Sequence, residues 1–152
     1  MYISKFLNDF LASIYLKVAR KTTYISGIDV IRQLEQYRNS GRLSTATQFA
    51  IFDVTDLYTM IPRDGAIQAL GRFLSKHFKN GWIGNIRIDT VVRLARLVSD
   101  TNYFVYGKKY YKQIKGGAMG SPFAMVLANI YMLEWEQPLI EHQRLHNELY
   151  GR

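Results

Sequence analysis

The sequence predicts an α+β fold in which helices pack on an incomplete antiparallel sheet that includes a β-hairpin. Three observations predict it. Apolar residues recur at helical spacing in five stretches. Residues 48–54 (QFAIFDV) form a short β-branched and aromatic run of the kind that makes a buried strand. Two tyrosine-rich runs flank Gly107-Lys108-Lys109, the pattern of a hairpin. The 152 residues suffice for one core and are short for two. The expectation is a single domain over 1–152. It comprises a helical lead-in at 1–46, a strand stretch at 47–62, helices and a basic hairpin at 63–115, and a glycine turn with a long helix at 116–152.

Each element follows from local pattern. Residues 6–18 place Phe6, Leu7, Phe10, Leu11, Ile14, Tyr15 and Val18 on one helical face. Ser26-Gly27 precedes a second helix at 28–38, with Ile28, Ile31 and Leu34 as its stripe, and Asn39-Ser40-Gly41 ends it. After the strand at 48–54, Pro62 leads into a helix at about 64–78 with Ile67, Leu70, Leu74 and Phe78 inward. Asn80-Gly81 and Gly84-Asn85 read as a loop. Asp89 is a candidate cap for a helix at 90–99 carrying Val91, Leu94, Ala95 and Val98 on one face. The hairpin joins 103–106 to 110–114. Ser121 caps a long helix with Pro122 in its first position, and Pro138 kinks that helix or ends its first half. One core strand and a hairpin make a thin sheet, so a further strand is expected after Arg152.

Composition narrows the chemistry. No cysteine is present, which excludes disulfides, cysteine zinc sites and thiol nucleophiles. Lys and Arg number 20 against 12 Asp and Glu, a net charge of +8 that favours a polyanionic partner. Aromatic residues make up 14%, which suits nucleic acid, since phosphates take the charge and bases or sugars take the ring faces. By segment the charge is +4 over 1–46, −2 over 47–62, +8 over 63–115 and −2 over 116–152. Either these are solvated helix faces, or a basic cleft surrounds a pair of carboxylates. Lys5, Asn8, Asp9 and Lys17 interrupt any leader-like apolar run. The uncharged stretch 116–133 falls short of the roughly 20 apolar residues of a spanning helix. The expectation is a soluble, intracellular protein without a membrane partner.

Two segments carry chemistry. In FDVTDLYTMIP (52–62), Asp53 ends an apolar strand, where a carboxylate is costly to bury unless paired or metal-bound. Such a position suits a Mg²⁺ ligand, because magnesium takes hard oxygens from carboxylates and phosphates. Asp53 can equally begin a turn, with Asp56 a cap or loop carboxylate. Tyr58, just beyond, is either a core aromatic or a ring that packs on a nucleotide sugar and leaves no space for a 2′-hydroxyl. In QIKGGAMGSP (113–122) the glycines permit close backbone approach, and the following helix start offers free N–H groups. It is not a phosphate loop of the Gly-Lys-Ser/Thr kind. Lys108, Lys109, Lys112 and Lys115 sit with Tyr106, Tyr110 and Tyr111 on the hairpin, which is either solvated or a grip for a nucleic-acid backbone. A third possibility, a metal hydrolase built on His77, His142 and His146, lacks the Glu that follows the first histidine of a zinc-protease helix.

FDVTDLYTMIP, followed about fifty residues later by YYKQIKGGAMGSPFAMVLANIYMLEWE, resembles motifs A and B of a reverse transcriptase, in particular that of retroelement enzymes of the Penelope-like type. The resemblance spans nearly the whole chain. It implies the fingers and palm portion of a right-hand polymerase fold and an RNA-directed DNA polymerase, a nucleotidyltransferase that extends a DNA primer on an RNA template from deoxynucleoside triphosphates with Mg²⁺. It implies that Asp53 is the first catalytic metal ligand, with the Val54 carbonyl beside it, and that Tyr58 is the gate against ribonucleotides. Gly117, Gly120, Ser121 and Pro122 would touch the template–primer and nascent base pair, with Ala128 and Asn129 on the helix behind. Where several relatives in that family have Gln directly before the first glycine, this chain has Gly116, with Gln113 three residues earlier. Lys17, Arg20 and Lys21 are candidates for the upstream contacts to the triphosphate.

The family's Tyr-x-Asp-Asp strand follows this helix, and no Asp occurs after Asp100. The expectation is therefore that residues 1–152 are part of a domain, inactive alone, and poorly soluble because a sheet edge is bare. A nuclear location would follow if the parent is an active eukaryotic retroelement. The alternative is a basic nucleic-acid-binding module, kept or decayed, that performs no chemistry.

Overall fold

Leu7, Leu11, Tyr15 and Ala19 recur every fourth residue, and all four are buried. Around that stripe forms helix α1 (Tyr2–Ala19), which starts earlier than the expected residue 6. The computed structural model describes residues 2–118 and 120–152. A 3₁₀ turn (Arg20–Thr22) leads to α2 (Gly27–Asn39), a single turn α3 (Leu57–Met60) and α4 (Arg63–His77). Then come β1 (Trp82–Ile83), β2 (Ile86–Arg87), α5 (Ile88–Asp100), β3 (Tyr103–Tyr106), β4 (Lys109–Lys112), α6 (Pro122–Trp135) and α7 (Gln137–His146). The fold is mixed α+β, with a helical core and two separate two-stranded antiparallel ribbons.

The core lies where α1, α4, α5 and α6 meet. Ile67, Leu70 and Leu74 of α4 face Leu7 and Leu11 of α1, Val91 and Ala95 of α5, and Ile130 of α6. α6 is buried on most of its circumference, through Phe123, Val126, Leu127, Ile130 and Leu133, as a helix apolar all round must be. The inward residues expected on α4 and α5 are those observed, with Phe78, Leu94 and Val98 partly buried against them. The helix after Ser121 breaks at Glu136, and Pro138 sits in the first turn of α7, where a missing N–H costs nothing.

Four expectations need correction. Residues 48–54 form no strand. They have no ladder partner among the described residues, and Ile51 and Phe52 are 96% and 86% exposed. A strand is completed by its neighbours, and neither ribbon lies alongside this stretch. Among the described residues no continuous sheet therefore underlies the helices. The α2 stripe is also open: Ile28 and Ile31 point to solvent and no residue of α2 is buried. The loop expected at 80–85 is instead a small hairpin, in which Gly84-Asn85 turns β1 into β2 and Gly84 takes a positive φ of 59°. Finally, Asp89 is no cap. β2 runs straight into α5, which starts at Ile88, and the Asp89 carboxylate pairs with Arg93 one turn on at 3.0 Å.

The larger hairpin is set by Gly107 and Lys108, both in the left-handed region with φ 55° and 61°. That is the backbone of the two-residue turn whose twist matches paired strands. Lys109 thus belongs to β4 rather than to the turn, opposite Tyr106.

Candidate functional site

The two segments singled out by their residues meet. The Gly117 N–H donates to the Tyr58 carbonyl at 2.7 Å. Gly116, at φ 65°, lies so close to α3 that a Cβ there would strike the Tyr58 carbonyl oxygen and come within 2.7 Å of Thr59 Cα. A Cβ on Gly117 would stand 2.9 Å from that of Ala124 in α6. The close approach these glycines permit is therefore to the chain's own backbone. Gly120, at φ 81°, faces open space. Ser121 occupies the cap position of α6, but its hydroxyl meets that of Ser4 at 3.3 Å instead of a helix N–H.

Gln113 ties this turn to the hairpin. Its side-chain amide donates to the carbonyls of Lys115 and Gly117, each at 3.0 Å, and its Oε1 accepts from Asn102 at 2.8 Å. Arg63, at the start of α4, donates to the Gln113 carbonyl at 2.6 Å and lies 3.7 Å from Asp100. Sequence reasoning missed Arg63 and Asn102. The amide of Gln113 so near a Gly-Gly turn was the available signal.

Beside the turn opens a groove of about 1330 Å³. Its walls are the first half of α1 (Ser4, Lys5, Asn8), Tyr58, the end of α5, Tyr103 and the turn before α6. Of the expected contact residues, Tyr58, Gly117, Gly120, Ser121 and Pro122 line it together. Asp53 and Val54 do not, and both are exposed on the irregular stretch before α3. Asp56 takes φ 53° at the start of α3 and offers its backbone carbonyl rather than its carboxylate to the turn. Lys17, Arg20 and Lys21 lie at the far end of α1, on the order of 20 Å along the helix from Lys5. Arg20 is engaged there with Asp29.

Lys108, Lys109, Lys112 and Lys115 are all exposed. Among the described residues, seven arginines form ion pairs and no lysine does. Of the region 63–115, the cations outside these pairs are therefore Lys76, Lys79, Arg87 and the four lysines on or just after the hairpin.

The histidine set does not assemble. His142 and His146 stack at 4.1 Å on α7, whereas His77 packs against Phe73 on α4. Burial, with Lys76 beside it, holds the His77 imidazole below its ordinary range. No group of three or more potential metal-binding side chains occurs among the described residues. A magnesium ion takes about six oxygen ligands. Asp53 and the Val54 carbonyl offer two, and these alone do not make a magnesium site.

A second polar cluster has no counterpart in the sequence reading. Glu136, between α6 and α7, is almost fully buried and pairs with Arg152 at 3.2 Å. The Tyr150 hydroxyl also reaches it, and Arg152 donates to the Tyr15 hydroxyl at 2.6 Å. Residues 150–152 return along 22–24, with the Tyr24 N–H donating to the Arg152 carbonyl at 2.6 Å and the Arg152 N–H to that of Thr22 at 2.8 Å.

No family model matches the chain, and neither a curated protein nor a solved structure shows significant similarity to it. No helix among the described residues is long and apolar enough to cross a membrane.

Proposed function

We propose that this chain supplies the template–primer and nucleotide groove of a retroelement RNA-directed DNA polymerase. The observation that carries the reading is the seating of the 116–118 turn on Tyr58, which joins two segments distant in sequence at one groove. In this reading Tyr58 meets the sugar of the incoming deoxynucleotide. Gly120, Ser121 and Pro122 meet the nascent pair, and Asp53 with the Val54 carbonyl holds one side of a Mg²⁺ ion. Fixing the reactive geometry takes further carboxylates, because orientation of both reacting groups supplies much of the rate.

The exposure of Asp53 favours a second reading, a basic module that binds nucleic acid without chemistry. Primer extension on an RNA template with Mg²⁺ separates the two. It is run on residues 1–152 and on the full translation product of the transcript. The polymerase reading expects no synthesis from the former and synthesis from the latter that Asp53→Ala abolishes. Absence of synthesis from both leaves only the binding module. Synthesis that survives Asp53→Ala overturns the assignment of Asp53.

A further inference from the structure

We infer that the β3–β4 hairpin is a stacking platform for single-stranded nucleic acid, with Tyr110 and Tyr103 as base-stacking rings and Lys112 as a phosphate contact. The inference rests on the nucleic-acid reading above and is independent of any polymerase chemistry.

The register decides which side chains act together. Tyr103 opposes Lys112, and Val105 opposes Tyr110. Directly opposed residues share a face, so Tyr103, Val105, Tyr110 and Lys112 lie on one side of the ribbon. Phe104, Tyr106, Lys109 and Tyr111 lie on the other. On that second side Phe104 and Tyr111 stack on each other, with centroids 5.6 Å apart. The first side has no such internal pair, and Tyr110 is 81% exposed. Tyr103, at the end of that face, also lines the groove.

Every residue of both strands is exposed, which an isolated ribbon in water does not favour without a function for its rings. The charge names the occupant. Lys108, Lys109, Lys112 and Lys115 have no carboxylate partner among the described residues, whereas Arg63, Arg72, Arg93 and Arg96 of the same stretch of chain are each paired. Unpaired lysines beside exposed rings complement a backbone of phosphates that carries unstacked bases. A duplex keeps its bases stacked inside and offers the rings nothing.

The test uses residues 1–152 and a fluorescently labelled oligothymidine of roughly 12 nucleotides, the length of one short binding groove, without divalent cations. Polarisation titrations are expected to show tighter binding of the single strand than of a duplex of equal length. Tyr110→Ala should weaken binding by about fivefold or more, the loss typical of one stacked base. Tyr110→Ile, which keeps strand propensity but not the ring, should lose as much, and Tyr110→Trp should retain affinity. Tyr106→Ala, on the other face, should stay within about twofold of the parent. The titrations contain no divalent cation and require no synthesis, so this inference and the polymerase reading fail separately. Equal binding of the duplex, equal binding of polyglutamate, or wild-type affinity in both Tyr110→Ala and Tyr110→Ile overturns the inference.

Discussion

Gly116 and Gly107 both have positive φ, at 65° and 55°, yet they are held there for different reasons. At Gly107 nothing stands within 4 Å of where a Cβ would be. Alanine there meets only the left-handed backbone cost, about 1 kcal/mol. At Gly116 the same methyl would strike the Tyr58 carbonyl oxygen and the Thr59 backbone. Neither can yield without moving α3, and with it the Gly117-to-Tyr58 hydrogen bond. Gly116→Ala is therefore expected to lower stability by about 3 kcal/mol, clearly more than Gly107→Ala. Urea denaturation of the two variants checks this, and equal midpoints would show that α3 and the glycine turn are not in contact in solution. The sequence revealed that these glycines permit close approach. It could not reveal what approaches, because Tyr58 and Gly116 are brought together by the packing of α3 and α4 against α6, elements distant in sequence.

Among elements, most helices and the 103–112 hairpin were legible and the strand at 48–54 was not. A helix's hydrogen bonds and its buried stripe both lie within a few residues, so Leu70 and Leu74, or Val91 and Ala95, announce their burial by spacing alone. A strand's bonds lie elsewhere in the chain, and residues 48–54 have the composition of a strand without the neighbour. The return of 150–152 along 22–24 was invisible for the same reason. Its anchor is chemical: Tyr150 and Arg152 reach the buried Glu136 carboxylate. Burial raises the Glu136 pKa, and Arg152 opposes that shift. Burial, with the Glu136 charge beside it, pushes the Tyr150 phenol up to about 12 from 10.0. Between those values the folded chain holds a proton that the unfolded chain has released, so stability is full below pH 10 and falls as pH rises toward 12. Tyr150→Phe removes that group's contribution. Thermal midpoints are expected to fall more steeply over this interval in the parent than in Tyr150→Phe. Parallel curves would place Tyr150 in water rather than against Glu136.

At the scale of the molecule, a net charge of +8 does not say how many phosphates the chain can neutralise. Counterion release counts cations that actually meet phosphate, at a slope of about −0.7 in log–log salt dependence for each contact on a single strand. Were all 20 Lys and Arg to take part, the slope would approach roughly −14. Seven arginines already face carboxylates, and at exposed sites such pairs persist at little net energy. Lys17 and Lys21 lie at the opposite end of α1 from the groove. What remains is the hairpin set Lys108, Lys109, Lys112 and Lys115, together with Lys5 on the wall of the groove itself, four or five contacts for a strand that follows the hairpin into the groove. The expected slope for a short single strand is therefore about −3, measured by polarisation between roughly 50 and 200 mM salt. Replacing Lys112 by Gln should reduce it by about 0.7, whereas replacing Lys21 should leave it unchanged. A slope much steeper than −3, or one equally sensitive to Lys21, would mean that the strand wraps the whole basic surface instead of tracking the hairpin into the groove.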